Sequence, residues 1–122
     1  MSGSLTKVLL KASEVEQLRR FFSSYSNPTR LAILEQLRYG EKSVSEIAEA
    51  IRDVSLTNLS NHLKCMRGCG ILKVRREWRN LYYSVSDERI LAIFSIARDV
   101  VRHIGNTMES CPVDGKKMCS TQ

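Results

Sequence analysis

One stretch, Ser55-Leu-Thr-Asn-Leu-Ser-Asn-His-Leu-Lys-Cys-Met-Arg-Gly-Cys-Gly70, limits the possible folds more than any other. Its apolar residues Leu56, Leu59, Leu63 and Met66 fall at i, i+3, i+7 and i+10, a single narrow stripe on an otherwise polar helix. Such a helix lies on a core along one edge and offers the rest of its surface to solvent or a partner. Gly70 is a helix stop. Directly after it, Ile71-Leu-Lys-Val-Arg-Arg76 and Leu81-Tyr-Tyr-Ser-Val85 read as two short strands joined by a turn at Glu77-Trp-Arg-Asn80.

The flanking segments supply a small core. A first helix is predicted over Ala12 to Ser23, with Val15, Leu18, Phe21 and Phe22 on one face. A second opens at Asn27-Pro28, where Asn caps free N–H groups and Pro occupies the first turn, and runs through Leu31, Ile33, Leu34 and Leu37 to Gly40. Ser43-Val-Ser-Glu46 fits a capping box and opens a short helix through Ile47, Ala48 and Ile51. Asp87 caps a long last helix carrying Ile90, Leu91, Ile93, Phe94, Ile96, Ala97, Val100, Val101 and Ile104. That is more apolar surface than one small core requires, which suggests packing on another subunit. The order describes a mainly α fold with a β-hairpin wing, the arrangement of a winged helix-turn-helix. One domain is expected over residues 1–107, with a short flexible tail over 108–122.

Charge falls where that fold would meet nucleic acid. The 122-residue chain carries a net +6, and between Ser55 and Val85 six basic residues oppose one acid, a local +5. At about 100° per residue, Thr57, Ser60, Asn61 and Lys64 share one side of the polar helix, away from the leucine stripe. Short hydroxyl and amide side chains there can donate to and accept from base edges in a major groove. Arg75, Arg76 and Arg79 of the hairpin are candidates for phosphates. Trp78 at the hairpin tip could press on a sugar-phosphate backbone or pack back on its own strands. The expected partner is double-stranded operator DNA. No Ser/His/Asp set, paired carboxylate or glycine-rich phosphate loop is visible, so neither an enzyme nor a small-molecule substrate is expected. No apolar run suits a membrane span or signal peptide, so a cytoplasmic protein with reduced thiols is expected.

Cys65 and Cys69, spaced i, i+4, emerge one turn apart and away from the apolar stripe. A disulfide within an intact helix requires too close an approach, whereas two sulfurs on one metal stand at a distance that rotamers can reach. Two further cysteines, Cys111 and Cys119, lie in the polar tail, which a metal could tie to the helix. Thiolates select Cd(II), Pb(II), Hg(II), As(III), Cu(I) or Zn(II) over Mg(II) or Ca(II). His62 and His103 are the remaining strong ligand types, and neither is assigned to the metal.

The set Asn27-Pro-Thr-Arg30-Leu-Ala-Ile-Leu, Ser60-Asn-His-Leu63, and Gly70-Ile-Leu-Lys-Val to Leu81-Tyr-Tyr resembles the ArsR/SmtB family of metal-responsive repressors, over about residues 12 to 107. The run from Ser60 to Gly70 looks like that family's cadmium and lead sensors. This resemblance implies a homodimer built from the first and last helices. It also implies a metal site using Cys65 and Cys69 with a tail cysteine from the other protomer, Cys111 being closest in spacing. Cys119 has no matching counterpart and stays a candidate on chemistry alone. Two other family sites look absent: residues 44–51 hold no cysteine, and Asp87 is followed by Glu88 and Arg89 where an Asp-x-His pattern would stand. The implied effector is Cd(II) or Pb(II), with Zn(II), Hg(II) or As(III) admissible. Two alternatives also fit the residues, a thiol-redox repressor and a constitutive winged-helix DNA-binding protein.

Overall fold

Short-range hydrogen bonds fix where each helix begins. The computed structural model describes residues 11–109. Helix α1 spans Ala12–Ser23, with Glu14 Oε1 accepting from the Lys11 N–H at 3.0 Å. Arg19 and Arg20 hold the Glu16 carboxyl down to about 2, and none of the helix is buried. Of the apolar face predicted there, Val15, Leu18 and Phe22 are exposed and Phe21 is half-buried. Helix α2, Pro28–Gln36, starts as expected, with Asn27 Oδ1 accepting from the N–H of Thr29 (2.9 Å) and Arg30 (3.2 Å). It does not continue as an α-helix to Gly40. Leu37–Tyr39 tighten into a 3-10 turn, which keeps Leu37 buried, and the chain reverses at Gly40 with φ +121°.

Strand β1, Lys42–Ser43, leads into α3, Val44–Ile51, across the predicted capping box: Ser43 Oγ accepts from the Glu46 N–H (3.1 Å) and Glu46 Oε1 from the Ser43 N–H (2.8 Å). Helix α4, Leu56–Gly68, follows after Ser55, whose Oγ accepts from the Asn58 N–H at 3.1 Å. Leu59, Leu63 and Met66 are fully buried, with Ile33, Leu34, Leu37 and Ile47. Leu56, predicted to share that stripe, is instead 62% exposed. It is the first residue of the helix, and helical side chains lean toward the N-terminus, so it projects past the core.

The stop at Gly70 is a Schellman closure, in which the Ile71 N–H bonds to the Met66 carbonyl (2.9 Å) and the Gly70 N–H to that of Arg67 (3.0 Å). Gly70 adopts φ +84°, and a Cβ there would touch nothing within 4 Å. Gly70→Ala therefore acts through backbone conformation alone. It should lower stability by about 1–2 kcal/mol in urea denaturation without changing the slope of the transition.

Strands β2 (Leu72–Glu77) and β3 (Asn80–Val85) form the hairpin, and β1 adds to its far edge in the order β1-β3-β2, all antiparallel. The hairpin is tighter than predicted: Glu77 pairs with Asn80, leaving Trp78 and Arg79 as a two-residue turn. Among the described residues, those up to Ser86 make one compact unit and those from Asp87 make a second. The second contains α5, Glu88–Glu109, where Asp87 Oδ1 accepts from the Arg89 N–H at 2.9 Å. Ile96, Val100, Val101 and Ile104 of α5 are exposed. The tail set off at residue 108 starts inside α5, and from residue 110 it lies outside the described residues, as do Cys111 and Cys119. Among the described residues no helix is long and apolar enough to cross a membrane.

Candidate functional site

The helical period divides α4 into three faces. At about 100° per residue, the side bearing Thr57, Ser60, Asn61 and Lys64 lies about 140° from the buried Leu59-Leu63-Met66 edge, and Cys65 and Cys69 lie about 110° from each. Thr57, Asn61 and Lys64 are exposed and Ser60 is half-buried. A polar face is thus presented outward on a helix anchored by three buried apolar residues, as groove reading requires.

The wing is basic but unequally so. Arg75 is bracketed by two carboxylates, its Nη2 lying 2.7 Å from Glu41 Oε1 and its Nη1 2.7 Å from Glu77 Oε1, and its guanidinium stacks 4.8 Å from the Tyr82 ring centre. The hydrogen bonds from Arg75 hold the Glu41 carboxyl below the usual carboxylate range. Arg76 forms no ion pair among the described residues, and Arg79 lies 5.0 Å over the Trp78 ring. Trp78 does not pack back on the strands: it is 80% exposed and its φ is +61°, a conformation that favours glycine at the first position of a two-residue hairpin turn.

Both described cysteines are free and exposed. Cys65 nevertheless has a partner that local spacing does not reveal. Arg30 of α2 donates from Nε to His62 Nδ1 and from Nη2 to Cys65 Sγ, each at 3.1 Å. Burial first, and then the Arg30 charge, push the His62 imidazole below its usual range. It is therefore neutral near pH 7 and able to accept at Nδ1. His62 is thereby engaged within the fold, and His103 is exposed. Among the described residues no group of three or more His, Cys, Asp or Glu is placed to hold a metal ion. The two thiols of α4 suit a soft ion as donors, and a complete ligand set would need further donors from elsewhere.

Residues 25–75 match a family model described as a helix-turn-helix domain. The chain is 30% identical to a probable mercury resistance operon repressor of Streptomyces lividans, over 91% of this chain and 88% of that protein. It is also 30% identical to a transcriptional repressor SmtB homolog of Synechocystis, over 79% and 70% of the two chains. Among solved structures it is similar to the homodimeric winged helix-turn-helix DNA-binding domain of Mb0332 from Mycobacterium bovis, a possible ArsR-family regulator. That match has a TM-score of 0.69 and 31% identity, covering 75% of this chain and 83% of that one. With two supporting helices, an outward polar helix and a basic hairpin, the chain belongs to the ArsR/SmtB family of helix-turn-helix transcriptional regulators.

Proposed function

We propose that the chain is a metal-responsive repressor that binds a palindromic operator as a homodimer and lets it go when a soft metal ion engages its cysteines. One observation carries this reading: two exposed, free thiols stand one turn apart on the helix whose adjacent face is built to read DNA. In this scheme α4 enters the major groove through Thr57, Ser60, Asn61 and Lys64, and the wing meets phosphates through its arginines, Arg76 and Arg79 foremost. Cys65 and Cys69 supply two sulfurs. Cys111, and after it Cys119, supply the remainder from the tail. The all-sulfur set suits Cd(II) or Pb(II), and also Hg(II), As(III) or Zn(II). The mercury-resistance role in the name of the Streptomyces relative supports a heavy-metal effector. The exposed apolar residues Val15, Leu18 and Phe22 of α1, and Ile96, Val100, Val101 and Ile104 of α5, supply the dimer surface. A reducing cytoplasmic setting fits this use of free thiols.

A gel-shift titration tests the reading. Cd(II) or Pb(II) should weaken operator binding about 5- to 150-fold in the parent, while Cys65→Ser should hold the operator regardless of metal. Unchanged affinity in the parent on adding Cd(II), Pb(II), Hg(II), As(III) and Zn(II) in turn refutes a metal sensor. Release by peroxide without metal, reversed by reductant, would assign the thiols to redox chemistry instead.

A further inference from the structure

Arg30 is a polar link between the thiol-bearing, DNA-reading helix and the helix that supports it. It belongs to the first turn of α2, yet its guanidinium bonds to two residues of α4 three positions apart, His62 and Cys65. One rigid fork therefore pins the recognition helix to its supporting helix, with one tine on the sulfur proposed to bind metal. A guanidinium stays protonated under all ordinary conditions, so it cannot yield that sulfur by losing its charge. A metal cation arriving at Cys65 meets a like charge 3.1 Å from the sulfur it would bind, and repulsion between the two cations favours withdrawal of the guanidinium.

We infer that Arg30 is a positioning residue that converts metal occupancy of Cys65 into movement of α4: the metal expels the guanidinium, and α4 loses its pin to α2. The inference rests on the metal-sensing reading proposed above. The exchange is balanced without electron transfer. A sulfur–metal bond forms, the Nη2–H···Sγ hydrogen bond breaks, and a thiol that binds gives its proton to solvent. Linkage supplies the converse. If the operator holds α4 in its pinned position, the operator strengthens the Arg30 contact and weakens metal binding by the factor with which metal weakens operator binding.

The experiment uses the full-length chain with Arg30→Gln and Arg30→Lys. Cd(II) affinity is read from sulfur-to-metal absorption. Operator affinity is read from the anisotropy of labelled duplex with and without Cd(II). Arg30→Gln, which removes the competing charge, should bind Cd(II) about tenfold more tightly, and its ratio of metal-free to metal-bound operator affinity should fall toward one. Arg30→Lys keeps a cation but not the fork. It should leave Cd(II) affinity near that of the parent while the ratio still falls, and it carries the test should the glutamine variant fail to fold. If both variants keep the parent's Cd(II) affinity and its ratio, the inference is overturned and the metal-sensing reading stands. If the parent itself shows no absorption band with Cd(II), the metal-sensing reading fails, and this inference with it.

Discussion

Val100→Glu combined with Ile104→Glu should leave the chain folded but monomeric, with affinity for a palindromic operator reduced about a hundredfold or more. The two residues are four apart on α5, so they share a face, and both are substantially exposed, as are Ile96 and Val101. An apolar stripe of that kind stabilises an assembly by roughly 1.5–3 kcal/mol for each aliphatic side chain it fully buries. Two carboxylates in its middle would forfeit that burial and also have to be desolvated without partners. The DNA term follows from geometry, because a dimer engages two half-sites together and its second contact is effectively intramolecular. Sedimentation and operator anisotropy on one preparation decide the matter. A variant that remains dimeric places the subunit contact elsewhere, and a monomer that keeps full operator affinity shows that operator binding does not need the dimer.

Removing Arg76 and Arg79 together should have the next largest effect. Arg76→Gln with Arg79→Gln changes four charges per dimer. At about 0.9 per phosphate contact, the slope of log affinity against log salt should become shallower by about 3 to 4, with a matching loss of affinity at low salt. Arg75→Gln should change that slope far less, even though all three arginines lie within five residues of one hairpin. Its guanidinium already faces Glu41 and Glu77, so its field is largely cancelled before DNA arrives. Releasing it to a phosphate would leave two carboxylates unpaired beside the backbone. Equal slope changes for Arg75→Gln and for the single Arg76→Gln would show that the bracket opens on DNA and that the three arginines act alike.

What could be read directly from the chain depends on the distance over which each interaction acts. Asn27, Ser43, Asp87 and Gly70 set helix ends through bonds to neighbours within five residues, so their types and spacing were sufficient. The three faces of α4 follow from the helical period alone. Strand β1 did not follow, because two residues pair with β3 some forty positions later and carry no pattern of their own. The two-residue wing turn was hidden by its composition, since Trp stands where glycine is favoured. Leu56 met the apolar spacing but lies at an end, and periodicity describes angle around a helix axis, not position along it. The cysteine pair was legible as a candidate chelate. Its link to Arg30, and the link of Arg75 to Glu41, are made by folding across 35 and 34 residues.

Trp78 gives the wing an optical property as well as a shape. The chain contains one tryptophan, and it is held at the hairpin tip, largely in solvent and under an arginine. All indole emission from this protein thus originates at a single known place, on the element proposed to lie against the duplex. Its wavelength and its quenching by a small soluble collider report the surroundings of the wing tip without any attached dye. They do so separately from the cysteine absorption, so arrival of DNA and arrival of metal can be timed in the same cuvette on unmodified protein.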